Sequence, residues 1–316
     1  MRRTLAAAML LCVPLSVLCG CSSRSHRPPL IEILVPSQDN PFFHAEAEAA
    51  AARARDLGYR ARIDVHDDDA YQQDNMVDMA IASNAAALIL DNAGADASIA
   101  AVRRAEKAGL ACFLIDRAIN VGGIARGQIL ADNDAGARLV AAEFARRLHG
   151  SGPYAELLGR ESDTNAQVRT HGFHAVLDTD AGLHLVAAQS ANWSQSEAFQ
   201  KTETILQAHP EIRGIIAGND TMALGAVAAV RGARRKDIIV TGFDGSPDAL
   251  AAIRSGELAA TVMQPAVALA RTAVDEASRF LKTRSTGQPE QQNIACELVT
   301  RANVDDFSGF QRIRPE

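Results

Sequence analysis

Polar and aromatic residues stand just after the short aliphatic runs of this chain: Ser37, Asn40, Phe42 and Phe43, then Asp91, Asp116 and Arg117, Asn219 and Asp220, and Asp244. Carboxylates, amides and guanidinium groups are planar and make two hydrogen bonds at once, which suits a small molecule with hydroxyls at fixed spacing. The C–H faces of such a molecule are weakly apolar and pack on aromatic rings. Aromatic residues are only 4% of the chain, so the adjacent Phe42 and Phe43 are conspicuous. Neighbouring residues on a helix point in different directions, so one core cannot take both rings. The chemistry implied is recognition of a polyhydroxylated ligand. Each signal also has a plain reading: Gly218-Asn219-Asp220 and Gly242-Phe243-Asp244-Gly245 fit ordinary turns, and Asp116-Arg117 fits a surface ion pair. Their joint placement at strand ends selects the functional reading.

Bond-making chemistry has little support. Glycosidic hydrolysis needs a carboxylate pair across the scissile bond, and Asp116 and Asp244 are each expected to be neutralised by Arg117 or Arg169. No Gly-x-Ser-x-Gly or glycine-rich phosphate loop is present. Asp67-Asp68-Asp69 lacks the spaced carboxylates of a calcium loop and reads as a solvated loop. The eight His are scattered without ligand spacing, and His44 reads as an exposed residue of a first helical turn. No enzyme activity, metal or cofactor is expected.

The elements that must position these residues alternate regularly. Ile31–Val35, Arg62–Val65, Ala87–Leu90 and Ala111–Ile115 read as strands separated by Ala-rich helical segments, the first from Pro41 to Leu57, ended by Gly58. The alternation resumes with strands at Ala155–Leu158, Leu183–Val186, Gly214–Ile216 and Ile238–Thr241. Strands alternating with helices predict parallel sheets covered on both faces. The chain thus divides into two α/β halves joined near Asp132-Asn133-Asp134, each placing its site beyond the carboxyl ends of its strands.

The first thirty residues point to export. Arg2 and Arg3 precede the uncharged apolar run Leu5–Leu18, which is short for a membrane span and reads as a signal segment. Cleavage before Cys21 takes the formal charge from −6 to −8. An acidic surface argues against nucleic acid or anionic membrane as a partner. Residues 21–29 read as a polar tether. Of the remaining cysteines, Cys112 and Cys296 read as two buried thiols.

Leu18-Cys19-Gly20-Cys21 resembles a bacterial lipobox, which implies acylation of Cys21 and attachment to the membrane by lipid alone. From Leu30 to Phe307 the chain resembles the type I periplasmic sugar-binding proteins, in particular their ribose-binding branch. The stretches that carry the resemblance are Asp39-Asn40-Pro41-Phe42-Phe43, Leu114-Ile115-Asp116-Arg117, Ala131-Asp132-Asn133, Arg169-Thr170-His171-Gly172-Phe173, Ala217–Gly225, Thr241–Gly245 and Thr261–Gln264. The resemblance implies two Rossmann-like parallel-sheet domains joined by a three-segment hinge. It implies hydrogen bonds to ligand hydroxyls from Asn40, Asp116, Arg117, Arg169, Asn219, Asp244 and Gln264. Phe42 and Phe43 would pack on one ligand face and Trp193 on the other. The implied domains are residues 30–131 plus 265–290 and residues 132–264 plus 291–316, with crossings at Asp132-Asn133, at Gln264-Pro265 and near Glu290 to Asn293. It further implies a monomer that closes on its ligand and delivers it to the permease of an ABC transporter in the inner membrane.

Two departures bear on the ligand. Asp91 stands where ribose binders carry an amide, and Trp193 where they carry Phe. An added carboxylate favours a ligand with more donors, and a larger ring narrows the slot. Both argue against ribose itself; another pentose, a hexose and a short sugar alcohol stand equally. Two rival functions share the architecture. A periplasmic sensor would present its closed form to a chemoreceptor or sensor kinase, and repressors of the lac type carry a helix-turn-helix where this chain has a signal segment.

Overall fold

The computed structural model describes residues 27–314. The signal segment, Cys21 and most of the tether lie outside the described residues. The first unit is built from β1 (Leu30–Val35), α1 (Pro41–Asp56), β2 (Arg60–Val65), α2 (Ala70–Ala82), β3 (Ala87–Leu90), α3 (Ile99–Lys107), β4 (Ala111–Ile115) and β5 (Gly127–Ala131). The second contains α4 (Asn133–Arg147), β6 (Gly152–Leu158), α5 (Thr164–Leu177), β7 (Leu183–Ser190), α6 (Gln195–Ala208), β8 (Gly214–Ala217), α7 (Asp220–Gly232), β9 (Ile239–Thr241), α8 (Pro247–Ser255) and β10 (Ala260–Met263). The chain finishes with α9 (Ala266–Thr283), β11 (Gln291–Ile294), β12 (Glu297–Thr300) and a small hairpin of β13 (Phe307–Ser308) and β14 (Gln311–Arg312).

The strands form two six-stranded sheets, ordered β11-β5-β4-β3-β1-β2 and β12-β10-β9-β8-β6-β7. Pairing is parallel throughout except where β12 runs antiparallel to β10. β1, β3 and β4 are buried along their whole length, as strands covered by helices on both faces must be. Alanine makes the helix contacts close: Ala47, Ala50, Ala51 and Ala54 on α1 are all sealed from solvent. In both sheets the strand order reverses beside the unit's first strand, β1 in one and β6 in the other. The crevice beyond the carboxyl ends at such a reversal is the usual ligand site of open α/β sheets.

The chain changes sheets at Asp132, at Gln264-Pro265 and at Ala295-Cys296. The third crossing falls later than the expected Glu290 to Asn293, because β11 still pairs with β5, Gln291 opposite Gln128 and Ile294 opposite Ala131. Residues 291–294 therefore belong to the first sheet, not the second. Its three polar residues make β11 a half-exposed edge strand without the apolar run that marks the others. The C-terminal hairpin also reaches the first unit, where Phe310 meets Phe42 edge to face at 5.7 Å.

Among the described residues, Cys112 and Cys296 are free thiols, Cys112 buried and Cys296 partly so, and no helix is long and apolar enough to cross a membrane.

Candidate functional site

The loops at the carboxyl ends of the two sheets close on each other. Ala95, after β3, donates its N–H to the Ser162 carbonyl, after β6, at 2.9 Å. Between the units lies a narrow space lined by Asn40, Phe42, Phe43 and Asp116 from the first and by Asp163, Asn165, Arg169, Trp193, Asn219, Asp244 and Gln264 from the second and the hinge. A wider groove of ≈ 790 Å³ adjoins it, sharing Asn40, Phe43 and Trp193 and reaching Ser37 and Asp68. Nine sequence-predicted residues are thus brought together, and two are not: Asp91 and Arg117.

Helix caps and site residues turn out to be the same groups. The Asn40 side-chain oxygen accepts from Phe42 N at 3.0 Å, and that of Asn219 from Met222 N at 2.9 Å. Each amide oxygen is spent on starting a helix, α1 or α7, which fixes the amide plane and leaves its Nδ2 hydrogens for a ligand oxygen. The plain reading of these residues as caps and the functional one hold together.

The acceptors are carboxylates. Asp116 and Asp244 have φ of 58° and 122°, conformations that residues other than glycine seldom adopt and that cluster at functional sites. Burial pushes the Asp116 carboxyl up to about 6, with the charge of Asp163 adding to it. Burial likewise holds Asp244 well above the usual carboxylate range against the pull of Arg169. A hydrogen-bonded belt connects these two acids. The Asn165 Nδ2 group donates to Asp116 Oδ1 at 3.2 Å, and Asn165 Oδ1 accepts from Asn133 Nδ2 at 3.1 Å. Asn133 Oδ1 accepts from Arg169 Nε at 2.8 Å, and Arg169 Nη1 reaches Asp244 Oδ1 at 3.3 Å. Gln264 Nε2 donates to the same Asp244 oxygen at 2.9 Å, while the buried Gln264 Oε1 has no partner within the protein. The cavity therefore offers fixed donors and acceptors on several sides, with Phe43 and Trp193 as its flat surfaces.

Arg117 lies behind this cavity. Its guanidinium is fully buried, 4.9 Å from the Phe43 ring centroid, with Nη1 2.5 Å from Asp68 and Nε 2.8 Å from Asp163 and 3.4 Å from Asp91. Asp91 is sealed in the same cage, next to Arg117 and away from the cavity. The expected neutralisation is half met: Arg169 pairs with Asp244, but the ion pairs of Arg117 go to other carboxylates than Asp116. Asp68 also bonds Arg160 of the second unit at 3.3 Å and so bridges the units, while Asp67 and Asp69 beside it are exposed, as expected of a solvated loop. Asp69 caps α2. Asp220 is buried and bonds Thr261 Oγ1 at 2.6 Å and Ser246 N at 2.7 Å, tying α7, β10 and α8 together. His44 is exposed and bonded to Gln38. No cluster of residues suited to holding a metal ion occurs among the described residues.

Sequence reasoning missed Asp163 and Asn165. Both sit at the start of α5, where Asp and Asn are ordinary capping residues; the one available signal was that they follow strand β6, as the other site residues follow theirs.

Known proteins share this fold. The family model described as periplasmic binding protein domain matches residues 31–285. A D-apiose import binding protein of Paraburkholderia graminis is 54% identical over 89% of this chain and 90% of its own length. One of Actinobacillus succinogenes is 48% identical over 89% of this chain and 91% of its own. A Bacillus halodurans ABC transporter solute binding protein, solved with bound myo-inositol, superposes with a TM-score of 0.84 at 25% identity, covering 91% of this chain and all of that one.

Proposed function

We propose that this chain, which belongs to the periplasmic binding protein family, binds D-apiose in the cavity between its two units and delivers it to the permease of an ABC transporter. The observation that carries the reading is the set of fixed donors and acceptors converging on the cavity between two aromatic walls, with Asp116 on one side and Asp244 on the other. The names of two relatives at 54% and 48% identity select D-apiose from the sugars that such a cavity suits. The site residues we assign to the ligand are Asn40, Phe42, Phe43, Asp116, Asn165, Arg169, Trp193, Asn219, Asp244 and Gln264. Asp163, Arg117 and Asp91 act on these rather than on the ligand.

A five-carbon sugar entering the open crevice exchanges water for these groups as the hinge at Asp132, Gln264-Pro265 and Ala295-Cys296 closes. Selectivity follows from closure. A hydroxyl in the wrong place leaves a buried partner unpaired, at a cost of about 1–3 kcal/mol. The protein acts outside the cytoplasm as a monomer, held to the membrane by acyl chains on Cys21; Cys21→Ala should move it from the membrane fraction to the soluble one.

A thermal-shift panel of D-apiose, D-ribose, D-allose, myo-inositol and C4–C6 alditols tests the ligand. D-apiose should give the largest rise in melting temperature. A larger rise with another member, or none with any, would remove D-apiose or the sugar reading respectively.

A further inference from the structure

Asp163 serves more partners than a helix cap needs. Its Oδ1 accepts from Asn165 N at 2.8 Å and so starts α5. Its Oδ2 accepts the indole N–H of Trp193 at 3.1 Å and stands 2.8 Å from Arg117 Nε. Arg117 belongs to the other unit and lies over the Phe43 ring at 4.9 Å. A continuous line, Phe43–Arg117–Asp163–Trp193, therefore joins the aromatic wall of one unit to that of the other.

Trp193 needs such a tether. It has φ of 65° directly after Asn192 at 50°, a left-handed pair that bulky side chains hold only when their surroundings impose it. Gly159 and Gly218 leave room for its ring, since a Cβ on either would come within 2.0 Å and 3.0 Å of ring carbons. The indole N–H then points to a carboxylate that is itself 3% exposed and held by an arginine 1% exposed.

We propose that Asp163 is a positioning residue that orients the Trp193 wall and, through Arg117, couples that orientation to closure of the two units. The coupling rests on reading the cavity as a sugar site; the orientation of Trp193 does not. If Asp163 were only a cap for α5, serine would replace it without loss, because Ser and Asp cap helices equally well. Serine is too short to reach both Trp193 and Arg117 while it caps.

The test is Asp163→Ser, read first without ligand. Trp193 is the only tryptophan of the chain, so emission excited on the long-wavelength edge of indole absorption, beyond that of tyrosine, reports on it alone. The proposal predicts a red-shifted emission and stronger acrylamide quenching in the ligand-free variant, and a D-apiose affinity lowered roughly tenfold or more. In a Trp193→Phe background, which has no indole N–H, the affinity loss caused by Asp163→Ser should shrink. Asp163→Asn keeps the cap and the volume and removes the charge that faces Arg117; it should weaken D-apiose binding and lower the melting temperature of the free protein, since Arg117 loses one of its buried carboxylates. Wild-type emission and quenching in folded Asp163→Ser would overturn the positioning role. Failure of the wild-type protein to bind D-apiose would instead overturn the assigned ligand, with the fluorescence result still deciding on Asp163.

Discussion

Arg169 and Asp244 meet at 3.3 Å with both side chains almost sealed from solvent. The guanidinium also lies 4.0 Å from the Phe243 ring centroid and donates to Gly218 and Asn133, so it is held on several sides. A buried ion pair adds little net stability, but removing one partner strands the other at a cost of ~3–5 kcal/mol. Asp244→Ala should therefore lose ligand binding and also unfold at a clearly lower temperature. Asp244→Asn should lose binding with a smaller drop. Calorimetric melting of the three proteins checks both.

Gly159 follows β6, and a Cβ there would lie 2.0 Å from the Trp193 ring. Backbone on one side and the strained Trp193 conformation on the other leave the ring no easy retreat. Gly159→Ala should therefore displace Trp193, with a red-shifted emission and a ligand affinity reduced roughly tenfold or more. Unchanged emission and affinity would mean that the wall is softer than the geometry states.

His174 on α5 supplies a pH-dependent contribution far from the chemistry of the cavity. Its Nε2 lies 3.0 Å from Glu156, whose hydrogen bond is the main cause that raises the imidazole from its ordinary 6.5 to about 9, with Asp178 adding to it. A raised histidine stabilises the fold fully below its unfolded value, and that contribution is lost as pH rises through the folded one. Between pH 6.5 and 9 the melting temperature should fall in the wild-type protein. His174→Asn should flatten the fall over that window; an equal slope in the variant would contradict the assignment.

The strand-end logic made much of the site legible. Asn40, Asp116, Asn219 and Asp244 each follow a buried strand, and a parallel sheet delivers such residues to one edge whatever their distance in sequence. Depth was not legible. Asp116 and Arg117 are adjacent in the chain, yet one faces the cavity and the other turns back into Asp68, Asp91 and Asp163. Nothing local to Arg117 says that three carboxylates from separate loops converge on it. Asp163 and Asn165 were hidden for the opposite reason, since a helix start explains both residue types completely. β11 escaped because an edge strand can be polar: Gln291, Gln292 and Asn293 gain their place from pairing with β5 and not from apolar burial.

Isothermal titration of the purified protein with D-apiose, in parallel with Asp116→Ala, decides whether the sugar sits in the cavity. The wild-type protein should bind one sugar per chain with Kd on the order of 1 µM or below, and the variant should release no heat at the same concentrations. Equal binding by Asp116→Ala would move the sugar out of the cavity, and no binding by the wild-type protein across the pentose and hexose panel would contradict the account as a whole.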